Sequence, residues 1–335
     1  ARAEKPVLLA SRLPLLHKAV LAKCDVLDGQ IDGLIADPRL CNFDPASVQC
    51  TSSADTTNCL TQQEVAVVKR FYEGPKDPDS GERLIVGGPQ PGSELAWAGV
   101  FVPVTAEQTV YSETAASEAI RNMVFENNPV AGFDLSTLRF DKSTFDKLRP
   151  LHPLYDATNP DLAPFASRGG KLILWHGWAD PNVSPLNTLA YHEAVEAKMG
   201  KARTESFERL YMLPGVYHCG SGEGPSVIDL LTPIMAWVES DHAPDAIVAR
   251  QARPGKTTKG RPRTQQPLPD FLVTDNVANH GRTRKVFPYP YMAEYDHKGY
   301  SKSASSYQRA EPLTTEKTPQ WIGSAFFQPY AARER

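Results

Sequence analysis

Two short apolar runs, each ending in a turn that delivers one polar side chain, constrain this chain more than any other feature. The first is Lys171 to Asp180, KLILWHGWAD. The second is Phe207 to Cys219, FERLYMLPGVYHC. Runs of this length, rich in apolar residues and closed by Gly or Pro, read as buried strands. Pro185 to Met199 between them reads as a helix. Ser226 to Glu239 reads as a last amphipathic helix with Ile228, Leu231, Ile234, Met235 and Val238 turned inward. Strand, helix, strand, helix implies a parallel α/β sheet.

The two turns carry the chemistry. Asp180 stands at the end of the first strand and His218 just past the second. A histidine can act as a general base when an acid accepts its Nδ1–H, fixes the tautomer and stabilises the imidazolium. A surface histidine with no partner is the plain alternative. Asp before His is the second half of a Ser…Asp…His order, so a nucleophile should precede Asp180. None is visible. The chain has no G-x-S-x-G, no Cys-Ser dipeptide and no HGGG loop. Ser93 and Ser221 sit among glycines, but neither falls between a predicted strand and a helix.

Upstream, Leu8 to Lys23 reads as an amphipathic helix that runs into CDVLDGQIDGLI, residues 24–35. Asp25, Asp28 and Asp32, interleaved with glycines, form an oxygen-rich loop. Ca2+ takes six to eight oxygens; here the three carboxylates and the carbonyls of Gln30 and Leu34 are candidates. The pattern is not an EF-hand, and solvated Asx turns are the alternative. Cysteines at 24, 41, 50 and 59 suit two local disulfides, Cys24–Cys41 and Cys50–Cys59, and hence an oxidising, secreted or periplasmic setting. Four reduced core cysteines are the alternative. Cys219 then needs a partner that this chain does not contain.

Thr61 to Tyr72 reads as a capped helix, with Glu64 three residues after Thr61. A turn-rich excursion follows, and then Trp97, Phe101 and Tyr111, whose rings are either local core or a wall for an aromatic ligand. A net charge of −3 gives no reason to expect nucleic acid, and no run of about 18 apolar residues suggests a membrane span. No secretion leader is apparent, and the start reads like the interior of a longer protein, already helical by Leu13. Residues 251–269 hold five Lys or Arg and four Pro, which reads as an exposed basic linker. Residues 270–335 carry scattered aromatics and read as an extension wrapping a larger body.

CDVLDGQIDGLI with Cys41, YDATNPDL, GGKLILWHGWADP and YHCG together resemble the C-terminal portion of the tannase/feruloyl esterase family, which also includes aromatic polyester monoester hydrolases. FPYP near Phe287 resembles the family's end. The resemblance implies an α/β-hydrolase fold with a lid. Residues 1–23 would connect core to lid, 24–150 would form the lid, and 151–250 the C-terminal part of the core. It implies a serine carboxylesterase acting on galloyl or feruloyl esters, or on monoesters of aromatic diacids. Asp180 and His218 would be triad members, and structural Ca2+ would sit at Asp25, Asp28, Gln30, Asp32 and Leu34. The family's serine follows a cysteine bonded to the one after the catalytic histidine, here Cys219. That serine and the oxyanion donors would lie in an N-terminal part or a second chain; otherwise the chain is a binding subunit without a nucleophile. Trp97, Phe101, His176, Trp178 and Val183 are the candidate substrate contacts.

Overall fold

A computed structural model describes residues 5–52, 55–130, 132–251, 281–312 and 318–331. Apart from Gln251, the basic segment 251–269 lies outside the described residues. Helix α1 (Leu13–Cys24) carries Pro14 in its first turn, where no N–H is missed. Leu13, Leu16, His17, Val20 and Cys24 recur every three or four residues and are buried. Helix α2 (Gln62–Glu73) starts in a capping box: the Glu64 N–H donates to Thr61 Oγ1 at 3.2 Å and the Thr61 N–H to Glu64 Oε2 at 2.7 Å. Leu16, Val20, Leu60, Val68, Trp97 and Val102 close one core between these helices. Disulfides Cys24–Cys41 and Cys50–Cys59 span its loops, with Cα–Cα distances of 5.3 and 4.9 Å. Beyond it lie α3 (Tyr111–Asn122), α4 (Lys142–Leu148) and two single-turn helices, α5 (His152–Tyr155) and α6 (Ala163–Ala166).

Strand β1 (Leu172–Gly177) then crosses through α7 (Pro185–Met199) and α8 (Lys201–Phe207) to β2 (Glu208–Leu213). The strands pair in parallel, from Leu172 opposite Glu208 to Gly177 opposite Leu213. A parallel pair needs such a crossover, and α7 supplies most of it. β2 is almost wholly buried, whereas β1 is half-buried over Leu172 to His176. Among the described residues β1 pairs with β2 alone. The Tyr289 N–H donates to Leu210 O at 2.7 Å, so the C-terminal segment covers the far side of β2.

Helix α9 (Leu231–Ser240) differs from its sequence pattern. Trp237 is its buried residue, with the Arg209 guanidinium 4.9 Å and the Lys171 ammonium 5.2 Å from its ring. Leu231, Met235 and Val238, expected inside, are 68, 46 and 59% exposed. Their spacing gives one apolar stripe, and nothing among the described residues covers it. Two antiparallel pairs follow. β3 (Ile247–Arg250) pairs with β4 (Thr283–Val286), and β5 (Ala293–Tyr295) with β6 (Tyr307–Arg309).

A buried polar network ties α1 to the chain beyond β2. His17 Nδ1 donates to Glu94 Oε2 at 2.6 Å, and Nε2 lies 3.0 Å from Glu223 Oε1 at ion-pair separation, off the hydrogen-bond axis. The Tyr72 hydroxyl donates to Glu94 Oε1 at 2.6 Å, and the Tyr217 hydroxyl to Glu223 Oε2 at 3.2 Å. Burial opposes charge on the His17 ring, but the close carboxylates of Glu223 and Glu94 outweigh it and raise the pKa from 6.5 to about 10. The folded value lies above the unfolded one. The stabilisation is therefore complete below pH 6.5 and is lost as pH rises through about 10. His17→Leu is expected to cost about 3–5 kcal/mol in urea unfolding at pH 6, because it leaves the buried Glu94 and the half-buried Glu223 without their cation. The difference from the parent should shrink by pH 10; an equal difference at both pH values would refute a charged His17.

Candidate active site

The two strand ends meet because Gly177 has no side chain. A Cβ there would lie 2.1 Å from Val216 O. With hydrogen in its place, the Trp178 N–H donates to Leu213 O at 2.9 Å and the Ala179 N–H to Val216 O at 3.1 Å. The turn after β1 is thus fastened to the turn after β2, and Asp180 faces His218. In the second turn Cys219 and Ser221 have φ of 56° and 61°. Left-handed backbone at a side-chain-bearing residue costs about 1–2 kcal/mol, so this loop holds His218 at a local energetic cost.

Asp180 is 3% exposed and fully engaged. Oδ1 accepts the N–H groups of Asn182 at 2.8 Å and Val183 at 3.1 Å. Oδ2 accepts His218 Nδ1–H at 2.9 Å and His176 Nε2–H at 3.1 Å. Burial alone would push the carboxyl up, but the hydrogen bonds from His176, His218 and Val183 outweigh it and hold it below its ordinary value. The ionised acid holds the ring through Nδ1–H, so Nε2 is the nitrogen turned away from it. The His218 side chain is 34% exposed, and among the described residues nothing bonds Nε2. The imidazole is thus held by one nitrogen and partly exposed at the other.

The other candidates are placed differently. Trp97 is fully enclosed, donates from Nε1 to Ser93 Oγ at 2.9 Å and packs edge-on against Phe71 and Tyr72. It has no free face for a ligand, because the core between α1 and α2 surrounds it on every side. Phe101 belongs to the same core, 5.9 Å from the Phe71 ring. Trp178 is buried, with the Arg39 guanidinium 5.2 Å from its ring. Val183 is 42% exposed, and its own backbone N–H is the one that donates to Asp180 Oδ1 at 3.1 Å. His176 has both ring nitrogens engaged, Nδ1 with Thr188 Oγ1 at 2.6 Å. Cys219 is exposed and carries a free thiol.

The acidic loop folds onto its own backbone. Asp25 accepts the N–H groups of Asp32, Gly33 and Leu34, Asp28 that of Gln30, and Asp32 that of Leu34. Arg284 donates to both Asp28 Oδ2 and Asp32 Oδ2 at 2.7 Å, a partner that sequence spacing could not reveal across some 250 residues. Among the described residues no three acid, His or Cys side chains converge as a closed metal cage. The donor set is nonetheless all oxygen, from three carboxylates of one short loop, which is the chemistry a hard cation takes.

The family model described as tannase and feruloyl esterase matches residues 1–310. The chain belongs to the tannase and feruloyl esterase family. A mono(2-hydroxyethyl) terephthalate hydrolase from Piscinibacter sakaiensis is 30% identical over 334 residues, covering 90% of this chain and 52% of its own length. An uncharacterised esterase from Xanthomonas campestris pv. campestris is 33% identical over 298 residues, 76% of this chain and 50% of the relative. This member of the family therefore spans about half the length of these curated relatives. The crystal structure of feruloyl esterase B from Aspergillus oryzae superposes with a TM-score of 0.73 at 24% identity, over 92% of this chain and 58% of that one. This shows the shared fold, of the α/β-hydrolase type.

Gly177→Ala is expected to force the two turns apart, costing about 1–3 kcal/mol as an overpacking change in urea unfolding. It should also break the Asp180–His218 hydrogen bond. A His218 Nδ1–H resonance that is unchanged by the substitution would refute the close-approach argument.

Proposed function

We propose that this chain is the acid- and base-bearing portion of a serine carboxylesterase acting on aryl esters of the galloyl or feruloyl kind. The carrying observation is the ionised, buried Asp180 bonded at 2.9 Å to His218, whose other ring nitrogen stands open at the rim. In this reading a serine outside the chain donates its proton to His218 Nε2 as it attacks the ester carbonyl. Asp180 stabilises the imidazolium, His218 then protonates the departing alcohol, and water resolves the acyl-enzyme by the same route. The half-buried β1, unpaired on its outer edge among the described residues, and the exposed stripe of α9 support a body that packs here. Cys219, one residue past His218, is the proposed disulfide anchor for that body's Cys-Ser segment, in an oxidising compartment.

Intact mass with and without reductant tests the assembly. Release of a second polypeptide is expected; none, together with no Cys-Ser in the coding sequence upstream, would sink the reading. In the assembled protein His218→Ala should lower kcat/KM on methyl gallate or methyl ferulate by about 10^4-fold or more. The terephthalate relative, which aligns over 90% of the chain, favours a second reading: a monoester of an aromatic diacid. The ratio of kcat/KM between such a monoester and methyl ferulate decides between the two.

We also propose that the acidic loop holds a structural Ca2+ through Asp25, Asp28 and Asp32 with the carbonyls of Gln30 and Leu34, and that Arg284 braces two of these carboxylates. Calcium added after exhaustive EDTA treatment should raise Tm, and Asp28→Asn should abolish the rise. An unchanged Tm with no calorimetric binding would refute the site.

A further inference from the structure

Asp180 Oδ2 accepts from two histidines, and a base needs only one acid partner. His218 Nδ1 lies at 2.9 Å and His176 Nε2 at 3.1 Å from that single oxygen. The His176 side chain is 12% exposed, and its Nδ1 is 2.6 Å from the hydroxyl of Thr188 in the first turn of α7. An ionised carboxylate is an acceptor only, so His176 Nε2 must carry a proton. In the neutral ring Nδ1 then accepts from Thr188. The result is one continuous chain, Thr188 to His176 to Asp180 to His218, which starts on a helix and ends on the proposed base.

We infer that His176 is a positioning residue that limits how strongly Asp180 holds the proton of His218. The inference rests on the reading of Asp180 and His218 as acid and base. Every hydrogen bond donated to a carboxylate disperses its negative charge and weakens its hold on a neighbouring imidazolium. Asp180 already takes two backbone N–H groups on Oδ1, but only His176 competes with His218 for the same oxygen. A base must give up its proton near working pH to be useful. An acid engaged by His218 alone would hold the imidazolium charged to higher pH. The titratable neighbours are few. Cys219 follows His218 in the chain, Tyr217 is bonded to Glu223, and Arg39, over the Trp178 ring, is bonded to Asp37. The hydrogen bonds to Asp180 among the described residues come from Asn182, Val183, His218 and His176, so His176 is the group placed to set its pull.

The test is the proton titration of His218, followed by NMR on the full chain with 13C-labelled histidine and needing no substrate. His176→Phe removes the competing donor and should raise the His218 midpoint by about half to one pH unit. His176→Gln, whose amide can donate to Asp180, should return it towards the parent value. Thr188→Val keeps the ring but frees its far nitrogen, and should move the midpoint the same way by less. Asp180→Asn is the control and should lower the midpoint. If it does so while His176→Phe and Thr188→Val leave the midpoint unmoved, the inference is overturned and the acid–base pair stands. If Asp180→Asn has no effect, the pair itself fails and the inference with it. Should His176→Phe not fold, the Gln and Val variants still decide: a midpoint unmoved in Thr188→Val overturns the inference.

Discussion

The contact on which the rest depends is the closure of Gly177 on Val216. Two parallel strands end side by side, but their turns would diverge if either carried bulk at the crossing. With no Cβ at 177, two backbone hydrogen bonds join the turns, to Leu213 O and Val216 O. A carboxylate from one strand end and an imidazole from the other then meet within 2.9 Å. Neither side chain needs a long reach, so few rotamers are lost in holding the pair. The strained backbone at Cys219 and Ser221 is the local cost of turning His218 towards that acid.

A second set of contacts supports the same loop from the N-terminal side. Tyr217, immediately before His218, is bonded to Glu223, which faces His17 on α1, which in turn is bonded to Glu94. The charge of His17 satisfies two acids that burial would otherwise make costly. A helix some 200 residues upstream thereby restrains the loop that presents His218. The Cys24–Cys41 disulfide at the end of α1 and Arg284 on the acidic loop that follows fix the same region from two further directions.

Much of this was legible in local patterns. KLILWHGWAD and FERLYMLPGVYHC read as strands because apolar runs bounded by turn residues have few other uses, and the structure gives Leu172–Gly177 and Glu208–Leu213. Helix Pro185–Met199 appears with the bounds its sequence suggested. Less was legible where burial depends on a distant partner. Leu231, Met235 and Val238 have the spacing of an inward face, yet Trp237 is the residue that turns in, beneath Arg209 and Lys171. Trp97 read as either local core or a ligand wall, and the structure packs it as core against Phe71 and Tyr72; Trp178, a candidate substrate contact, is buried with Arg39 over its ring.

The sequence by itself determined the strand–helix–strand unit, the placing of Asp180 and His218 at its two strand ends, the acidic loop and the two local cysteine pairs, because each rests on neighbours within some forty residues. Only the tertiary structure decided that His176 shares an oxygen with His218, that Arg284 closes on Asp28 and Asp32, and that His17 stands between Glu94 and Glu223. Those contacts depend on which side chains converge after the strands have twisted and the loops have closed, and no linear spacing encodes that. His176 lies four residues from Asp180 on the printed chain, but its function as a partner follows from one shared atom.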